Sequence, residues 1–181
     1  MSNIPDNNLP DPHEAALLLT EIIVDEDVSS PVAAERLQTA VATSAAQRGF
    51  DRGELCVRVT NDIGIHLINR EHLGHDYPTD VISFSYGCTP PHIEGELVVS
   101  VDTARARSRE LGWSIESELI LYVVHGTLHL TGMDDHDPSD RAAMRQAEHE
   151  VMTALGIDGI DRFGADSDPS STKSCKGESP A

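Results

Sequence analysis

Three histidines of this chain, His125, His129 and His136, stand close enough in sequence to share one metal ion. His125 and His129 are four residues apart, so on a helix their imidazoles lie on one face and can reach the same ion. Gly132 follows as a helix-ending residue, which lets the chain turn back and offer His136 from a loop. Three neutral imidazoles leave a fourth tetrahedral position open, the arrangement of a catalytic zinc and not of a closed structural one. Nickel, copper and iron also accept imidazole, so the spacing predicts one bound metal ion and the tetrahedral argument points to Zn2+. The pair lies in the most apolar segment, where imidazoles without partners are costly to bury. Metalloproteases with an HExxH helix carry a glutamate base directly after the first histidine. Gly126 occupies that position here, so the usual base for peptide hydrolysis is missing.

The elements that must position these groups can be read from periodicity and punctuation. Residues 17–28 read as a strand, and 29–49 as a helix with Ser30 and Pro31 at its start and Gly49 at its end. Residues 54–61 alternate, with Leu55, Val57 and Val59 on one strand face. Ile65, Ile68 and Leu73 are spaced for a short amphipathic helix over 62–74. Turn chemistry at 75–80 precedes a strand at 81–86. Residues 86–95 are expected to be a loop, because Pro90 and Pro91 cannot sit inside a sheet. A strand at 96–102 and helices at 103–113, 116–132 and 137–156 complete the series, the last opened by Asp137 and Pro138. The expectation is an α+β fold with a small mixed four-stranded sheet packed on helices and a central metal-binding helix. One domain spans 17–157, between a loose segment at 1–16 and a disordered tail at 158–181.

Composition narrows the partners. The 181 residues are 39% apolar and 24% charged, as in a soluble single domain. The formal charge is −18, from 31 acidic against 13 basic residues. That balance argues against coating DNA or an anionic membrane through charge alone, and it leaves RNA open as a substrate. Three cysteines without a CxxC pair suit a reducing compartment. The amino-terminal stretch lacks a basic n-region, and its short apolar run is broken by Glu21, so neither signal peptide nor membrane span is expected. The expected location is cytoplasmic.

Three segments carry a family resemblance. HGTLHLTGMDDH (125–136) resembles the YbeY signature HGxLHLxGYDH, PTDVISFSY (78–86) is similar to its PTDVLSFPF element, and EGELVVS (94–100) to its GDIVIS strand. The order is kept over about 54–155. The resemblance implies a zincin-like fold and a single-strand-specific, zinc-dependent endoribonuclease. It further implies a role in ribosomal RNA maturation and ribosome quality control, with ribosome-associated partners. Two departures stand out. The family's third histidine follows the second by six residues, where this chain has Asp135, and His136 comes at seven. Keeping three imidazoles favours His136, with an oxygen of Asp135 as the alternative. An arginine that some members use in catalysis corresponds to Leu73, with Arg70 one helical turn earlier.

The general base is unassigned, with Asp135 and Arg70 the catalytic candidates. Asp134 and Asp135 could orient a ligand or cap the next helix. Thr79 and Asp80 could line the site or only form a turn. Phe84 is read as core, the remaining histidines as surface, and Arg105, Arg107 and Arg109 as a solvated face able to touch phosphates. Besides the endoribonuclease, two readings remain: a non-catalytic ribosome-assembly factor stabilised by metal, and a metal-dependent peptidase.

Overall fold

A computed structural model describes residues 17–160. The expected loose segment at 1–16 and the tail beyond Ile160 lie outside the described residues. Four strands form one sheet: β1 Leu18–Val24, β2 Arg52–Thr60, β3 Val81–Thr89 and β4 His92–Ser100, in the spatial order β1-β2-β4-β3. β1 runs parallel to β2, with Ile22 beside Val57, and β2 runs parallel to β4, with Val59 beside Val99. β4 pairs antiparallel with β3, Val81 facing Val99. The helices are α1 Ala34–Gln47, α2 Asp62–Ile68, α3 Val101–Leu111, α4 Ile115–Leu130 and α5 Pro138–Ala154. A π-type turn, Asn69–Leu73, continues α2 and stops at Gly74. The class and the element order are those read from the sequence.

One sheet face presents Leu55, Val57, Val59, Leu97 and Val99 to a core shared with Leu37 and Val41 of α1 and Leu121, Val124 and Leu128 of α4. The other face is partly covered by α2, through a small cluster of Ile65, Ile82 and Val98. α4 is buried without interruption from Glu118 to Leu130, packed between the sheet and helices α1, α3 and α5. A helix apolar all round can only be stable when enclosed in this way. Each fully buried Leu, Ile or Val contributes about 1.5–3 kcal/mol, so the helix bearing the histidines is firmly anchored in the core.

Two expected boundaries move. The strands of the β3–β4 hairpin extend to Thr89 and from His92, so the expected loop over 86–95 shrinks to Pro90 and Pro91 at the tip. The prolines are tolerated there because a hairpin tip does not ask the second residue for a ladder N–H. The extra length is absorbed by a bulge between Ser85 and Gly87. α1 starts at Ala34 and not at the Ser30–Pro31 pair, because the Ser30 hydroxyl engages the backbone of Val32 instead. At the other end, Ile157 and Ile160 pack partly on the core.

Candidate metal centre

His125 and His129 are both 6% exposed, near the carboxyl end of α4. Their Nε2 atoms lie 3.0 Å apart. The opposite nitrogens are both engaged: His125 Nδ1 is 2.5 Å from Glu148 Oε1 on α5, and His129 Nδ1 is 2.9 Å from the Met133 carbonyl oxygen. A carbonyl can only accept, so His129 Nδ1 must donate to it, and the buried carboxylate of Glu148 asks the same of His125. Both rings therefore turn a lone pair toward the same point. Two lone pairs at 3.0 Å repel unless a cation lies between them. The geometry is that of imidazole ligands oriented by hydrogen bonds at their far nitrogens.

The chain beyond α4 is shaped by Gly132, whose φ of +93° lies in the left-handed region where glycine is favoured. That turn swings the Met133 carbonyl onto His129 and brings Asp135 back over the helix end. Asp135 Oδ2 lies 3.8 Å from Nε2 of both histidines, and its side chain is only 11% exposed. His125, His129 and Asp135 form a group that could hold a metal ion. His136 is not brought to the pair. Its imidazole is 47% exposed, with Nε2 3.5 Å from Asp134 Oδ1. His136 instead joins Asp134 and Asp135 in a second, more exposed group whose ligand atoms lie within 4.8 Å of one another, so Asp135 stands between the buried pair and the His136 imidazole.

Asp134 serves the loop backbone, its Oδ1 accepting the N–H of Asp135 at 2.8 Å and of His136 at 3.3 Å. Arg70 sits exposed on the π-type turn, on a different element from the metal group. Asp80 accepts from the Val81 N–H and the Thr79 hydroxyl, the contacts of a turn former. Phe84 is half-buried and meets the His72 ring edge-on. Arg105 and Arg107 are paired with Asp102 and Glu110 on their own helix.

Gly126 explains itself through packing. A Cβ there would lie 2.8 Å from Leu97 Cδ2, 3.0 Å from Val81 Cγ2 and 3.2 Å from Ser83 Oγ. The position faces the sheet so closely that any side chain there would have to displace Leu97, Val81 and Ser83, and a glycine has no carboxylate to act as the base of a peptidase helix. Glu148 escaped the sequence reading, although a signal was present. Met144, Ala147, Val151 and Met152 form the buried stripe of α5, and Glu148 falls inside that stripe. A carboxylate on an apolar stripe calls for a buried partner.

Fold and site together define an α+β protein with a buried His125–His129–Asp135 group, at the end of a buried helix, that could hold a metal ion. A family model described as endoribonuclease YbeY matches residues 20–156. An endoribonuclease YbeY from Rhodopirellula baltica is 46% identical over 152 residues, covering 78% of each chain. One from Chloroflexus aggregans is 39% identical over 148 residues, covering 76% of this chain and 95% of its own. The chain belongs to the YbeY endoribonuclease family. Its fold is also similar to the solution structure of TM1509 from Thermotoga maritima, at 22% identity and a TM-score of 0.54, covering 76% of this chain and 92% of that one.

Proposed function

We propose that this chain is a single-strand-specific, zinc-dependent endoribonuclease. It acts in the cytoplasm on ribosomal RNA, in small-subunit maturation and ribosome quality control, alongside the ribosome or a ribosome-associated protein. The observation that carries the metal reading is the pair of Nε2 atoms 3.0 Å apart with both Nδ1 atoms already engaged. That separation approaches the ~3.3 Å expected between two nitrogens on one tetrahedral zinc with bonds of about 2.0 Å. His125, His129 and Asp135 hold the ion in this reading, and Asp135 takes the third place in preference to His136. Family membership supports RNA as the substrate.

A zinc ion held there would supply Lewis-acid polarisation of a phosphoryl oxygen, one way of promoting RNA cleavage. The chain's own part is to present two oriented imidazoles and a carboxylate. Glu148 and the Met133 carbonyl hold the two rings so that neither can turn its donor away. Nothing in this arrangement needs a large basic surface, provided a partner brings the RNA.

The test uses one purified sample for metal analysis and for cleavage of unstructured RNA and of casein. The expected result is stoichiometric zinc, RNA cleavage and intact casein. His129→Ala should lose zinc and RNA cleavage together, Asp135→Ala should lose zinc by orders of magnitude, and His136→Ala should keep it. Zinc without RNA cleavage would favour the non-catalytic assembly factor. Loss of zinc in His136→Ala with retention in Asp135→Ala would restore the three-histidine site.

A further inference from the structure

We propose that Arg141 is a positioning residue that decides which of two neighbouring side chains completes the metal centre, delivering Asp135 inward and holding His136 out. The inference deepens the metal reading above and rests on it. Asp135 and His136 are adjacent, and both can ligate a divalent ion. A slip of one residue in an irregular loop would exchange them, so something must set the register.

The structure grips this piece of backbone on two sides. Asp134 Oδ1 accepts the N–H groups of Asp135 and His136. From α5, Arg141 Nη1 donates to the His136 carbonyl at 3.0 Å, with the Asp135 carbonyl 3.4 Å away. Hydrogen bonds from a guanidinium are among the stronger ones available to a carbonyl. Asp137 then ties the end of the loop to the start of α5, its Oδ1 accepting from the N–H groups of Ser139 and Asp140 at 2.8 and 2.9 Å. Arg141 and Glu148 lie seven residues apart, close to two turns, and so share one face of that helix. One rigid element therefore steadies both the ring of His125 and the loop that must meet it. With the backbone so held, the Asp135 carboxylate sits 3.8 Å from both imidazoles while His136 stays at the surface. The resulting donor set is two nitrogens and one oxygen.

The test measures Zn2+ affinity of the full chain by competition with a chromophoric chelator, with folding followed by circular dichroism. Arg141→Met keeps the aliphatic stem and removes the donor, and Arg141→Leu provides the same comparison if the methionine variant melts early. Zinc affinity should fall about 10–100-fold with the spectrum unchanged, the range typical of groups that orient ligands. The diagnostic arm is His136→Ala. It should be silent in the otherwise unchanged chain but cost about tenfold in the Arg141→Met background, where the released loop recruits the imidazole. Unchanged zinc affinity in both Arg141 variants, or an equal effect of His136→Ala in both backgrounds, overturns the inference. Full zinc retention by Asp135→Ala would instead overturn the metal reading itself, so the two failures are told apart.

Discussion

Glu148 and the Met133 carbonyl shape the centre without being ligands, since each takes the N–H of one imidazole and leaves the other nitrogen bare. Glu148 is 4% exposed, so its charge is costly to hold unless a cation lies close by. Replacing it with leucine leaves the buried His125 Nδ1–H without its acceptor and should cost the metal-free fold about 1–3 kcal/mol. Zinc affinity should meanwhile fall about 10–100-fold, as for other groups that orient a ligand ring. Glu148→Gln keeps an acceptor oxygen for His125 and should lose less. Chelator competition together with thermal melts separates the two effects, and a stability loss at unchanged affinity would make Glu148 a structural carboxylate only. At this scale the sequence was partly legible. The i, i+4 histidines announce themselves, because helical spacing sets their direction. The path of the loop that carries Asp135 and His136 does not, since it is held by hydrogen bonds from the Asp134 and Arg141 side chains.

Among the elements, punctuation was read well where a side chain caps a helix by itself. Asp137 and Pro138 open α5 as expected, and Gly74, Gly112 and Gly132 sit just beyond helix ends with positive φ. The readings that moved are those in which a neighbour competes. Ser30 bonds locally, and the hairpin prolines sit at a tip that only strand pairing defines. Tertiary ties between elements are similarly hidden. Asp25, just after β1, takes two hydrogen bonds from the Arg58 guanidinium of β2 and one from the Thr60 hydroxyl. The Arg58 hydrogen bond, aided by Thr60, holds the Asp25 carboxyl below the usual carboxylate range despite partial burial. A depressed folded value contributes stability that is present above about pH 4 and lost as pH falls through the lowered value. Urea unfolding between about pH 2 and pH 6 should therefore show a flatter acid limb for Asp25→Asn than for the unchanged chain. Parallel limbs would mean that the tie contributes nothing to acid sensitivity.

For the molecule as a whole, a net charge of −18 must be reconciled with a polyanionic substrate. Two of the three arginines on α3 are already paired with carboxylates of their own helix, which leaves little field to attract RNA. Free RNA should then meet the protein against a repulsion that salt screens. Initial rates on an unstructured oligonucleotide at low substrate should hold or rise as salt increases from about 50 to 150 mM, where a basic nuclease would lose affinity steeply. A steep fall would show that a local cationic path outweighs the overall charge. The same view of the whole gives the close approach at Gly126 a wider meaning. His125 and His129 ride on the helix whose spacing from the sheet that glycine permits. A peptidase's glutamate installed there would press first on Leu97, Val81 and Ser83, and whatever strain those side chains did not absorb would fall on the helix that carries the two imidazoles. An engineer seeking protein cleavage from this chemistry would therefore begin by re-cutting Val81, Ser83 and Leu97 around the new side chain.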